Sequence, residues 1–170
     1  MDGMTERATT PSPIRPSVLP SQGRLLGLDP GARRIGLALS DETQLLAQPL
    51  TTLTRRTGKR FPMARLIALM KEHAVTGAVV GLPLSSDGSE GKAARAARAL
   101  AADIARLSGV AVDLWDERFT TARALQAVRE MGGTTEGRRG DVDALAATVL
   151  LQHYIDARRS NADRGMRNAE

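Results

Sequence analysis

The sequence predicts an α/β protein in which a mixed five-stranded sheet carries helices on both faces. Three short apolar segments come first in the chain, and helical and extended segments alternate after them. This order is typical of a sheet that combines antiparallel and parallel neighbours. Hydrophobic residues make up 42% of the 170 residues, which is enough for a core, and the 2% aromatic content means that this core is mainly aliphatic.

The first three strands are predicted from apolar runs and turn residues. Residues 24–29 form a buried strand that is followed by a Pro-Gly turn, and residues 34–41 close a hairpin with it. Residues 45–53 form the third strand. Because Pro49 cannot donate a backbone hydrogen bond, this strand is expected at an edge of the sheet.

The later elements alternate between helix and strand. An uninterrupted apolar run at residues 78–82 predicts a strand buried on both faces, and hence a central and parallel one. Apolar residues at helical spacing predict a helix on either side of it. Thr120 or Thr121 can cap a third helix, and Asp141 can cap the last one. The predicted ranges are 62–73 and 90–107 for the first two helices, 110–115 for the fifth strand, and ends near 131 and 157 for the last two helices.

The two ends of the chain differ in composition from its middle. Residues 1–23 are rich in Pro, Ser and Thr and predict a disordered tail, residues 24–157 predict the folded domain, and residues 158–170 predict a polar tail. The absence of Cys excludes disulfides and thiolate metal sites. No apolar run reaches the length of a membrane span, and the N-terminus lacks the apolar region of a secretory signal, so a cytoplasmic protein is expected.

Three acids stand where a shared site is possible. Asp29 ends the first strand, Glu117 follows the last strand, and Asp143 lies in the first turn of the last helix. Ligands of open α/β sheets gather at the carboxyl ends of strands, so these side chains can converge. Gathered carboxylates repel one another unless cations neutralise them, and Mg²⁺ and Mn²⁺ prefer carboxylate oxygens. The sequence therefore predicts a metal-dependent hydrolase that holds two such ions against a phosphodiester.

Each acid also has an ordinary structural interpretation. Asp29 can start an Asp-Pro-Gly turn, Glu117 can form a surface ion pair, and Asp143 can interact with the helix dipole. The functional interpretation therefore depends on their joint placement in space.

Basic residues concentrate in the predicted turns and loops. The formal net charge is +5 and the pI is about 10.6. Such clusters can neutralise the phosphates of a nucleic acid, although an arginine-rich composition and solvated loop charges are the alternative explanation. The candidate nucleic-acid-binding residues are Arg33, Arg34, Arg55, Arg56, Arg118, Arg138 and Arg139.

Two glycine-containing segments and one aromatic residue are further candidates. Residues 27–31 and 81–88 could let the backbone approach a phosphate closely, or they could be ordinary exits from strands. Trp115 is expected in the core rather than stacked on a base, because it lies within a predicted strand.

Four segments within residues 24–155 together resemble a known family. They are Gly27-Leu28-Asp29-Pro30-Gly31-Ala32-Arg33-Arg34-Ile35-Gly36-Leu37-Ala38, Val80-Gly81-Leu82-Pro83-Leu84 with Asp87-Gly88-Ser89, Asp116-Glu117-Arg118-Phe119-Thr120-Thr121, and Asp141-Val142-Asp143-Ala144-Leu145-Ala146-Ala147. In this order they resemble the motifs of the YqgF/RuvX family of Holliday-junction resolvases, which is also described as a family of pre-16S ribosomal RNA processing nucleases. Ser85 and Ser86 depart from the family's loop, where Asn and Met are frequent, and the basic run before the last helix is short.

The resemblance implies an RNase H-like fold and a metal site at Asp29, Glu117 and Asp143. It also implies a nucleic-acid partner, with pre-rRNA preferred, branched DNA as an alternative, and pre-ribosomal particles as a further candidate. The preference for RNA arises because a four-way junction usually needs a symmetric dimer, and the sequence contains no obvious dimer helix. Its oligomeric state stays open.

Two other classes of function compete with the nuclease. A non-catalytic RNA-binding or ribosome-assembly module would use the same basic surface without the acids. An ATP-binding relative of actin and the sugar kinases would use the Asp-Pro-Gly hairpin, but the chain is too short for two lobes.

Overall fold

The structure is a computed structural model, and it describes residues 18–119 and 139–167. In chain order the elements are β1 (Arg24–Pro30), β2 (Arg34–Ser40), β3 (Ala47–Thr54), α1 (Met63–Glu72), β4 (Val75–Leu82), α2 (Lys92–Ser108), β5 (Ala111–Asp116), a 3₁₀ turn (Glu117–Phe119) and α3 (Arg139–Arg167). The five predicted strands are confirmed, as are the first two helices and the last. The helix predicted from Thr120 or Thr121 to about residue 131 lies outside the described residues.

The strands form one mixed sheet in the order β3-β2-β1-β4-β5. The β1–β2 and β2–β3 pairs are antiparallel, and the β1–β4 and β4–β5 pairs are parallel. Strand β4 is therefore central and parallel on both sides, as its apolar run predicts. Strand β3 lies at an edge, and the register of its pairing with β2 shifts next to Pro49.

Alternate residues of the strands face two separate hydrophobic clusters. Leu26 and Leu28 of β1 join the cluster formed with α1 and α2, whereas Leu25 joins the cluster formed with α3. The predicted helices on both faces are thus confirmed. In the second cluster, Trp115 packs edge to face against Tyr154 with ring centroids 5.5 Å apart, which confirms its expected place in the core.

Helix α3 differs from its prediction at both ends. It begins at Arg139 and includes Asp141, which was expected to cap it, and it continues to Arg167 instead of ending near residue 157. Asp143 consequently lies in the second helical turn. The helix packs close to the sheet at Gly27, where an added Cβ would lie 2.7 Å from the Cβ of Leu151.

Both predicted tails contribute residues to the packed domain. Leu19 is buried against α3, with 5% of its surface exposed. Arg158 donates hydrogen bonds to the backbone oxygen of Leu19 at 3.1 Å and to Gln44 Oε1 at 3.0 Å. These contacts fasten the segment before β1 to the last helix, while residues 1–17 lie outside the described part of the chain. None of the helices that the structure describes combines the length and apolarity needed to cross a bilayer.

Candidate active site

Asp29 lies in a row of residues that crosses the centre of the sheet. It pairs in register with Gly36 of β2 on one side. On the other side Leu28 is level with Val80, so Asp29 lies beside Gly81 of β4. Side chains of level residues project from the same face of a sheet. Asp29, which is 8% exposed, therefore faces α3 between two glycines.

Gly36 brings Asp143 to this row. A Cβ at Gly36 would overlap the backbone carbonyl of Asp143, so only glycine allows α3 to lie on β2 at this point. A glycine inside a strand often marks a close backbone approach, and this signal was available in the sequence. Gly36 is the positioning residue that the sequence analysis did not single out.

Gly81 makes the equivalent space for Glu117. A Cβ at Gly81 would lie 2.7 Å from Glu117 Oε1 and 2.6 Å from Leu150 Cδ1. The Glu117 carboxylate, carried by the 3₁₀ turn after β5, therefore reaches back over β4. It lies on the same face of the sheet as Asp29.

The three predicted acids thus lie on the same face of the sheet, at the end where β1 and β4 finish, across strands that are spaced by roughly 4.8 Å. They do not form a closed set of metal ligands: among the described residues, no three His, Cys, Asp or Glu side chains are gathered closely enough to hold a metal ion. Asp143 instead forms an ion pair with an arginine, since Arg34 Nε lies 2.8 Å from its Oδ2. The acids share a face of the sheet, and the Asp143 carboxylate is paired with a protein cation.

Two basic turns lie beside the acids, at the same end of the strands. Arg33 lies in the turn between β1 and β2, and Arg55 and Arg56 follow β3 directly. The turns are joined, because the backbone N–H of Arg55 donates to the oxygen of Arg33 at 2.8 Å and the Arg55 guanidinium donates to the oxygen of Ala32 at 3.0 Å. All three arginines are exposed, so they form a basic surface beside the acids.

Arg118 has a different environment from the other basic candidates. Its guanidinium binds Asp116, with Nη2 2.7 Å from Oδ2, and this interaction raises the pKa of Arg118. Its Nη1 also lies 3.5 Å from the backbone oxygen of Ser86. Arg118 therefore ties the loop after β4 to the turn that carries Glu117.

The other candidates are only partly described. Arg138 lies outside the described residues, and Arg139 begins α3 with a side chain that is likewise outside them. At the first glycine-containing segment, the expected phosphate approach is blocked at Gly27, because Leu151 covers it. The second segment is a tight turn in which the N–H of Gly88 donates to the oxygen of Ser85 at 2.8 Å.

A mixed sheet in this order, with helices on both faces, has the RNase H-like fold. The chain belongs to the RuvX family: the family model described as "Holliday junction resolvase" matches residues 23–157. That family is one of nucleases, which are hydrolases of phosphodiester bonds.

Two named relatives and one solved structure agree with membership of this family. A protein of Anaeromyxobacter sp. (strain Fw109-5) named "Putative pre-16S rRNA nuclease" is 49% identical over 135 residues, which cover 79% of this chain and 98% of the relative. A protein of the same name from Myxococcus xanthus is 44% identical, covering 80% of this chain and 89% of the relative. The structure of T. thermophilus RuvC in complex with a Holliday junction substrate matches with a TM-score of 0.55 at 18% identity, covering 81% of this chain and 96% of RuvC, which supports the fold.

Proposed function

We propose that this protein is a metal-dependent nuclease that processes the 5′ end of pre-16S rRNA in the cytoplasm. The observation that carries the proposal is the row Gly36–Asp29–Gly81, with Asp143 over one glycine and Glu117 over the other. Gly36 admits the backbone of α3 at Asp143, and Gly81 admits the Glu117 carboxylate, so both acids come to the face where Asp29 is buried. The arrangement favours a site that needs three carboxylates.

The donor set suits a hard divalent cation, since carboxylate oxygens are the ligands that Mg²⁺ and Mn²⁺ prefer. Asp29, Glu117 and Asp143 would hold one or two such ions. When bound, these ions supply charge neutralisation to a phosphodiester under attack by water. Asp29 is the most firmly positioned ligand because it is buried within a strand. Glu117 and Asp143 approach from a turn and a helix, so small shifts of either can adjust the site.

The basic residues would hold the polyanion. Arg33, Arg55 and Arg56 are exposed on joined turns, and Arg34 begins the adjacent strand, so a backbone crossing this edge would meet them beside the acids. Such contacts are sequence-independent and weaken as salt rises. Arg118 would act mainly by ordering the loop after β4, because its guanidinium is bound to Asp116. For Arg138 and Arg139, phosphate binding stays a prediction from the sequence.

The names of the relatives favour pre-16S rRNA as the substrate. The description of the matching family favours a second candidate, the four-way DNA junction. A site at the end of the sheet where β1 and β4 finish suits a flexible RNA end, whereas a junction resolvase usually needs two symmetric copies. We therefore rank RNA first.

The experiment compares cleavage of a 5′-extended pre-16S leader RNA, an unrelated single-stranded RNA and a four-way DNA junction by the full-length protein. Each reaction contains Mg²⁺, Mn²⁺ or EDTA. We expect metal-dependent shortening of the leader RNA, lost in Asp29→Asn and Glu117→Gln. Asp103→Asn is the matched control, since Asp103 pairs with Arg106 on α2, which packs on the opposite face. Cleavage that survives both site substitutions would disprove the proposed site, and salt-sensitive RNA binding without cleavage would indicate a binding module.

A further inference from the structure

The ion pair between Arg34 and Asp143 occupies one of the three proposed metal ligands. Arg34 precedes Gly36 by two residues on β2, so both positions face α3. Because the backbone of Asp143 lies on Gly36, its side chain extends along β2 to Arg34. The Arg34 Nε lies 2.8 Å from Asp143 Oδ2, and the two side chains are 38% and 26% exposed.

A guanidinium at this position opposes metal binding in two ways. Its Nε lies 2.8 Å from an oxygen that a cation would use, and its positive charge repels a divalent ion bound nearby. An Asp143 oxygen that is paired with Arg34 is therefore a weaker ligand for a metal ion than the same oxygen after Arg34 has moved away.

The same arginine is accessible to a phosphate. Arg34 adjoins Arg33, and its β2 position pairs with Thr54 immediately before Arg55. Arg34 therefore lies next to the basic surface of Arg33, Arg55 and Arg56, which a nucleic-acid backbone would cross. A phosphate offers a guanidinium the same paired oxygens that a carboxylate does.

We propose that Arg34 is an internal counter-ion that holds Asp143 away from metal until a nucleic-acid phosphate binds the guanidinium. Metal and nucleic acid then bind cooperatively, and the protein without nucleic acid keeps its metal site incomplete. This inference rests on the proposed function, because it assumes that Asp143 is a metal ligand. Since coupling is reciprocal, metal must raise the affinity for nucleic acid by the same factor.

The test measures Mn²⁺ affinity from the electron paramagnetic resonance signal of free Mn²⁺. The wild-type chain is compared with Arg34→Gln and with Arg24→Gln as the matched control. Arg24 also forms an ion pair, 4.0 Å from Glu42, but it begins β1 at the opposite end of the sheet. We expect Arg34→Gln to bind Mn²⁺ about fivefold more tightly than the wild type, and Arg24→Gln to match the wild type. Adding Asp143→Asn to Arg34→Gln removes the gain.

A second measurement needs no substitution. A short 2′-O-methyl RNA, which resists cleavage, is added to the wild-type chain, and Mn²⁺ binding to the RNA alone is subtracted. We expect the RNA to tighten Mn²⁺ binding by a similar factor in the wild type and by much less in Arg34→Gln.

The outcomes separate this inference from the proposed function. Wild-type Mn²⁺ binding that neither Arg34→Gln nor the RNA tightens would overturn the counter-ion role and leave the metal site intact. Absence of Mn²⁺ binding in every variant, with and without RNA, would overturn the proposed metal site and the inference together.

Discussion

Gly36 lies directly beneath the backbone carbonyl of Asp143, and a side chain at Gly36 would occupy the space of that carbonyl. Because Gly36 is level with Asp29 on the neighbouring strand, this one contact sets how near the last helix comes to the centre of the sheet. The packing of α3 on the sheet therefore also fixes the position of Asp143. A substitution at Gly36 should mainly lower stability, whereas a substitution at Gly81 should mainly lower activity.

Gly36→Ala should destabilise the fold severely. The added methyl group meets backbone atoms of Asp143, which cannot rotate away, so α3 must shift as a whole. We expect a loss of about 3 kcal/mol in the free energy of unfolding, measured by urea denaturation. Gly165→Ala is the control, because nothing lies within 4 Å of the added Cβ on the exposed part of α3. A Gly36→Ala variant as stable as the wild type would contradict this account of helix docking.

Gly81→Ala should reduce cleavage more than stability. The new methyl group meets the flexible ends of Glu117 and Leu150, which can move at the expense of the position of the carboxylate. We expect activity to fall at least about tenfold, because small misplacements of catalytic groups are costly. Gly77→Ala lies on the same face of β4, where Leu25 Cδ2 would be 3.0 Å away, and should lower stability without a matching loss of activity. Equal activity losses in the two variants would argue against a role for Glu117.

Arg158→Ala should loosen the segment before β1. Arg158 binds the backbone oxygen of Leu19 and Gln44, and its guanidinium lies 5.7 Å from the centre of the Tyr154 ring. We expect the free energy of unfolding to fall by about 1–2 kcal/mol, measured by urea denaturation. Arg159→Ala removes an exposed arginine from the same helix and should be nearly neutral. If both variants lose the same stability, the Arg158 contacts contribute little.

Asp41 should make the free energy of unfolding depend on pH under acidic conditions. Backbone hydrogen bonds from Leu46, together with the Thr43 hydroxyl and other donors, lower the pKa of Asp41 from 3.8 to about 2. Because the pKa is lower in the folded state, this contribution is complete above the unfolded pKa and is lost as the pH falls from about 4 to 2. Asp41→Asn should be less stable than the wild type at pH 6, with the difference shrinking toward pH 2.

Thermal melting between pH 6 and pH 2 measures this effect. Glu42→Gln removes the adjacent carboxylate without changing the bonds to Asp41, so it should follow the wild-type pH dependence. A difference between Asp41→Asn and wild type that stays constant with pH would contradict the assignment.

The strands, the edge position marked by Pro49 and the choice of the three acids could all be predicted from the sequence. These features depend on local patterns: apolar runs, proline chemistry and the change from strand to turn at Asp29 and Glu117. The four ordered motifs were also sufficient to identify the family.

Three features could not be predicted and became visible in the packed fold: the buried face of α3, the close approaches at Gly36 and Gly81, and the partners of the arginines. Leu145 is 43% exposed, whereas the smaller Ala146 and Ala147 beside it are buried against the sheet. The Arg34–Asp143 pair joins residues over a hundred positions apart. Contacts of this kind depend on how closely two surfaces approach, and that distance is set by the whole packed core.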